Sequence, residues 1–439
     1  MLADPLPRRV RTVGRPILVS TTRSIPVFDP LTLYGQAEDA ERALWLRPAS
    51  SEALVGLGVA HVISTAGADR FAAAGRAWAE LLENAEVDDP ARLLWTGPLL
   101  LGGFRFDPRR PSTALWAGFQ TDRLVLPERL YVLNGRSAWL TTNAIVGGRE
   151  RIEPDVTALP RPARGLRARA WQSLVSSVAR GIRRRELGLD KVVLARTETV
   201  RGRAAFAPPE VAARLATAYP TCTIFALGHA DACFVGATPE RLVGVCAGLA
   251  TTMALAGSIG RGRTDAQDTA LGQALLNDPK ERSEHSFVAN ALRQGLAEVS
   301  TRVIADAEPR LRKLPNLQHL LTPVHGQLGA GRTILDVVER LHPTPAVGGS
   351  PSAPALELIA AREDLDRGWY AGPIGWVNRA GEGEFVVGLR SAVLRGAEAT
   401  LFAGCGIVAD SDPATELAES KWKLQPMLSA LAAPTTDES

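Results

Sequence analysis

No stretch of this 439-residue chain approaches the ~18 consecutive apolar residues of a membrane span. Its four cysteines, Cys222, Cys233, Cys246 and Cys405, show no paired metal spacing, so buried free thiols in a reducing compartment are expected. A charge bias is missing as well: 50 Lys plus Arg against 47 Asp plus Glu leave +3. That balance gives no reason to expect nucleic acid or an anionic membrane as partner, and leaves room for a small anionic substrate held by a few placed bases. Residues 1–19 alternate Pro and Arg around no continuous apolar core, which reads as no signal peptide and a cytoplasmic protein. Internal repeats and low-complexity tracts are also absent.

What is present is an ordinary globular composition, 46% hydrophobic and 22% charged, enough for a sizeable core. Residues 1–60 suggest strands joined by turns. Phe71, Trp78, Leu82 and Ala85 fall at helical spacing, with a stop between Asn84 and Pro90. Residues 99–107 and 114–119 read as strands, and Asn134-Gly135 as a hairpin turn. The stretch 149–167, with three prolines and many charges, is the one linker-like segment. Trp171, Leu174, Val175, Val178 and Ile182 then mark a helix with Gly188 as its stop. Short strands with helices grouped between them indicate an α+β protein rather than a regular βαβ series.

Several local patterns carry chemistry. Lys191 opens the strand Lys191-Val192-Val193-Leu194-Ala195-Arg196; alone it reads as a solvated rim charge, but buried it would supply a neutral amine. Glu240, in Thr238-Pro239-Glu240-Arg241-Leu242, is by itself a turn residue, yet a carboxyl in an apolar site keeps its proton toward neutrality. Leu255-Ala256-Gly257-Ser258 ends an expected strand with residues small enough for a ligand to approach the backbone. Asp278-Pro279-Lys280-Glu281 is a helix start with Asp as N-cap. Glu284, Val288 and Leu292 continue that helix on its buried stripe, where an unpaired carboxylate is costly and a metal would relieve the cost. A second start, Ser411-Asp412-Pro413, leads to Glu416, Glu419 and Lys423, which taken alone is a surface ion-pair pattern. His319 could be a core or a site residue. Leu341-His342-Pro343-Thr344-Pro345-Ala346-Val347-Gly348-Gly349 is a stiff loop able to lie tightly against a small ligand.

That last string resembles the signature of isochorismate synthases, within the larger family of chorismate-binding enzymes. Gly102-Gly103-Phe104-Arg105-Phe106-Asp107, Lys-Val-Val-Leu-Ala-Arg from Lys191, Pro239-Glu240-Arg241-Leu242 and the two Glu-x-x-Glu helices agree with it in order, over about residues 95 to 430. The resemblance implies a two-sheet antiparallel β core flanked by helices. A strand-rich portion 1–160 would complete the same fold as a catalytic portion 165–432, followed by a disordered tail 433–439. It also implies a Mg²⁺-dependent, reversible conversion of chorismate to isochorismate. Lys191 would activate water and Glu240 would protonate the departing hydroxyl. Glu284 and Glu419, with Glu281 and Glu416, would hold Mg²⁺. Ser258, His319, Ala346, Tyr370, Arg390, the turn Gly404-Cys405-Gly406 and Lys423 would bind chorismate, Arg390 offering a planar fork and the glycines bare N–H groups. Cys405 stands where alanine is the more familiar residue.

Relatives that use ammonia typically lack a lysine at the Lys191 position, so no glutamine amidotransferase subunit is expected. The rivals are a salicylate synthase, which goes on to eliminate pyruvate, and a non-catalytic chorismate-binding or partner-binding subunit, which would need neither Lys191 nor Glu240. Whether the product serves menaquinone, siderophore or salicylate synthesis is not legible.

Overall fold

A computed structural model describes residues 16–37, 41–119, 121–147, 168–314 and 317–432. The linker-like stretch, the tail after Ala432 and most of the segment read for a signal peptide lie outside them. Among the described residues the chain forms an α+β architecture of two large sheets, one of twelve strands and one of ten. Nearly all neighbours run antiparallel; Ile17–Ile25 beside Glu86–Asp88 is the parallel exception. Each sheet takes strands from both sides of the region 148–167. In the larger sheet Arg42–Arg47 pairs with Thr223–His229, and in the smaller Leu99–Gly103 pairs with Pro373–Asn378.

Alternating strand side chains give each sheet an apolar inner face, and the two inner faces make the main core. Trp45, Leu54, Phe225 and Phe234 of the larger sheet join Leu99, Leu101 and Phe385 of the smaller in one buried cluster. A second cluster lies on the outer side of the larger sheet, under the helices Pro30–Gln36, Pro208–Ala218 and Pro413–Leu431. None of the described helices is long and apolar enough to cross a membrane.

Several local expectations need correction. Residues 1–60 hold a helix, Pro30–Gln36, capped by Asp29, whose side chain accepts the Thr32 N–H at 2.7 Å. The strand from Leu99 stops at Gly103, and residues 114–116 form a single 3₁₀ turn that carries Trp116 into the core, because its indole N–H must reach Asp366 O. The helix Ala168–Arg183 ends five residues before Gly188; Arg185, at φ 58, takes the left-handed position after it. Cys222, Cys233 and Cys405 are buried free thiols, but Cys246 is exposed.

Candidate active site

The lysine strand Lys191–Arg201 lies near one edge of the larger sheet, against Glu398–Ile407. Its register sets Val193 opposite Gly406 and Ala195 opposite Gly404. The expected Gly404-Cys405-Gly406 turn is therefore extended strand. The glycines matter here because side chains alternate: Gly404 and Gly406 face the cavity, and Cys405 points away, its thiol 3.3 Å from Glu416 O. A Cβ on Gly406 would sit 2.6 Å from both Glu284 Oε1 and Lys191 Cε. Glycine keeps that space open for the lysine.

From the smaller sheet comes Leu249–Gly260, which does not end at Gly257 but passes through it. The register slips between Ala256 and Ser258, and Gly257 at φ 78 supplies the left-handed residue of a bulge. The slip turns Ser258 to His319 on the next strand: Ser258 Oγ and His319 Nδ1 are 2.8 Å apart. It also aims the Ser258 N–H at Glu281 Oε2, at 3.0 Å.

Two helices bring carboxylates. Asp278 caps Pro279–Ala297 by accepting from Lys280 N and Glu281 N, and Asp412 caps Pro413–Leu431 by accepting from Thr415 N. On the first helix His285 is buried, its ring bonded to Ala256 O and Thr322 Oγ1 at 3.2 and 2.8 Å, which fixes the helix's rotation over the sheet.

These elements enclose a cavity of about 1010 Å³, mouth included. Every candidate site residue lines it: Lys191, Glu240, Ser258, Glu281, Glu284, His319, Ala346, Tyr370, Arg390, Gly404, Gly406, Glu416, Glu419 and Lys423. Lys191 is 2% exposed, and its ammonium lies 2.5 Å from Glu284 Oε1. The expectation that Glu284 has no partner is thus corrected: the buried lysine is its counter-ion. Lys423 pairs with Glu419 at 2.6 Å and donates to Gly404 O at 2.9 Å.

Burial sets most of the electrostatics. It lifts Glu240 to about 7 even though Arg390, Lys191 and Lys423 pull the other way. Burial and then the neighbouring Glu419 lift Glu416 to about 7, and burial and then Glu284 raise Glu281. For Glu419 the burial penalty is outweighed by Lys423, and its carboxyl falls below the ordinary value. His319 is pushed down to about 3 by burial and by Arg390 and Lys423; the ring is neutral, with Nε2 buried and unpartnered among the described residues. Arg390 is held at φ 49, an uncommon conformation for a side-chain-bearing residue, and among the described residues no hydrogen bond or ion pair engages its guanidinium. Tyr370 stacks on Phe402 at 5.0 Å.

Four carboxylates facing one space, with Glu281 and Glu416 raised by burial first and then by the charges of Glu284 and Glu419, are a donor set for a hard divalent cation. Glu416 and Glu419 have ligand atoms within 4.8 Å of each other and of Cys405 Sγ.

Glu363 and Arg367, four residues apart, are singled out by no pattern in the sequence, yet both are buried and Arg367 lines the cavity. No pattern marks His285 either. Lys280, which also lines the cavity, reads in the sequence only as part of a helix start.

The family described as "Chorismate binding enzyme" matches residues 6–166 and 156–432. A salicylate biosynthesis isochorismate synthase of Pseudomonas aeruginosa is 37% identical over 97% of this chain and 92% of its own length. The isochorismate synthase MenF of Bacillus subtilis is 34% identical, covering 96% and 95%. Among solved structures, the menaquinone-specific isochorismate synthase MenF of Escherichia coli superposes with a TM-score of 0.78 at 25% identity, over 95% of both chains.

Proposed function

The chain belongs to the chorismate-binding enzyme family, and from that premise we infer that it is an isochorismate synthase, adding water at C2 of chorismate as the C4 hydroxyl leaves. Lys191 takes the proton from the attacking water, and Glu240 gives one to the departing hydroxyl. One observation carries this assignment: a buried amine and a buried carboxyl that keeps its proton to about pH 7 line the same cavity. A pure binding subunit needs neither.

Lys191 can accept a proton only as the free amine, so the ammonium must release its proton to solvent and its pair with Glu284 must open before water is activated. Arg390, its fork unengaged, and Tyr370 take the enolpyruvyl carboxylate. Ser258 and His319 line the ring, the neutral imidazole offering Nε2, and Ala346 covers the enolpyruvyl side. Glu284 and Glu419 would hold Mg²⁺, with Glu281 and Glu416 binding directly or through water. Bound there, the ion would neutralise the ring carboxylate and draw electron density from the diene.

Product analysis with chorismate and Mg²⁺ tests the reading. The enzyme should release isochorismate with little pyruvate, EDTA should abolish turnover, and added Mg²⁺ should restore it. Stoichiometric pyruvate without an added lyase would make the protein a salicylate synthase; full turnover in EDTA would remove the metal assignment.

A further inference from the structure

Behind the cavity, Glu363 and Arg367 form a buried ion pair just past the helix Ser352–Arg362, with 2% and 4% of their surfaces exposed. Arg367 Nε and Nη2 each donate to one Glu363 oxygen, both at 2.7 Å. Other donors of the same guanidinium reach outward, Nη1 to Val347 O at 2.8 Å and Nη2 to Val193 O at 2.7 Å. Glu363 Oε2 accepts the Ala195 N–H at 3.0 Å, and the guanidinium lies 4.3 Å over the Phe106 ring.

These partners belong to two walls of the cavity. On its outer side the lysine strand pairs with only two residues, Gly349 and Ser350, and Val193 N–H goes to Gly348 O. Past that point the strand edge would leave Val193 C=O and Ala195 N–H orphaned, and an unpaired buried backbone group is destabilising. Arg367 and Glu363 take the place of the missing strand. The same guanidinium holds Val347 C=O, one residue after Ala346. One planar, bidentate group therefore sets the separation between the wall bearing Lys191 and the loop over the enolpyruvyl side.

We propose that the Glu363–Arg367 pair is a positioning device that fixes the loop His342–Gly349 against the Lys191 strand and so restricts the reaction to water addition, a role that rests on the isochorismate synthase reading. The competing reaction needs no co-reactant. The C2 hydrogen of isochorismate moves to the enolpyruvyl methylene as the C3–O bond breaks; the ring becomes salicylate and the side chain leaves as pyruvate. That transfer requires the side chain to fold back over C2, which a loop pinned through Val347 prevents. A loosened loop admits the folded conformer and also displaces Lys191 from its water.

The test compares Arg367→Met, the double variant Glu363→Leu/Arg367→Met and Glu363→Gln with wild type, following isochorismate, pyruvate and thermal midpoint. Arg367→Met strands a buried carboxylate and should be unstable, whereas the double variant removes both charges and should recover much of the midpoint. The double variant should nonetheless keep a kcat about 10–100-fold below wild type, with KM changed less and more pyruvate per turnover. Wild-type kcat and pyruvate fraction in the double variant would reduce the pair to a structural role and overturn the proposal. If the double variant does not fold, Glu363→Gln decides, since it keeps the shape: lowered kcat with raised pyruvate supports the proposal, and wild-type values overturn it. A wild type that forms no isochorismate overturns the activity and the pair's role together; a productive wild type matched by its variants overturns the pair's role alone.

Discussion

At Glu240, burial outweighs three nearby cations and keeps the carboxyl proton to about pH 7. The folded protein therefore binds a proton that the unfolded chain has already released above the ordinary value of 4.5. Stability from this group is full below that value and is lost as pH rises through 7, a change of roughly 3 kcal/mol. Glu240→Gln removes the penalty, so its melting temperature should exceed that of wild type at pH 8 and approach it near pH 4.5. The same variant should lose about 10²–10⁴-fold in kcat. A melting difference independent of pH would place Glu240 in a more solvated setting. Lys191→Gln should lower kcat over the same rough range and leave KM little changed, because the amine works on water rather than on binding. Near wild-type kcat in that variant would assign the base elsewhere.

Among the elements, the loop His342–Gly349 is the one proposed to set the product. His342 is extended, as a residue before proline must be, and its ring Nε2 lies 3.0 Å from Phe106 O. Ala346 lines the cavity, its N–H donating to Thr344 Oγ1 at 3.2 Å. Elimination needs the enolpyruvyl methylene to reach C2, and a small side chain at 346 leaves the group free to stay extended. Threonine adds a methyl and a hydroxyl on that side and restricts the group toward the folded conformer. Ala346→Thr should accordingly raise the pyruvate fraction, read by coupled pyruvate detection against total chorismate consumed. An unchanged fraction would move conformer control to Val347 or Ser258.

For the whole molecule, the shared sheets set the unit of folding. Residues 168–432 taken alone would lose Arg42–Arg47 from beside Thr223–His229 and Leu99–Gly103 from beside Pro373–Asn378, exposing two strand edges and the faces that meet Trp45 and Leu99. Such edges favour aggregation. A fragment of residues 168–432 should be insoluble or bind hydrophobic dye, and the full chain should unfold in one calorimetric transition. A soluble fragment with a native-like near-ultraviolet spectrum would show that the C-terminal portion folds independently.

The sequence alone was enough for the family, the α+β class and fourteen of the residues that line the cavity, because proline, glycine and capping patterns act locally and stand at readable spacings. The cap at Asp278, the stiff loop at Pro343 and Pro345 and the lysine opening a strand are each legible within a few residues. Partnerships were not. Glu284 reads as an unpaired buried carboxylate, yet its counter-ion is Lys191, 93 positions earlier in the chain. Gly404-Cys405-Gly406 reads as a turn and is strand, since pairing with residues 193–195 supplies the hydrogen bonds that a turn would otherwise make for itself. Glu363 and Arg367 are not singled out by any pattern in the sequence, and the short outer strand at Gly349–Ser350 explains why they are buried. Local propensity settles how a segment begins and ends; which charge meets which, and how far each is desolvated, depends on strands brought together from opposite ends of the chain.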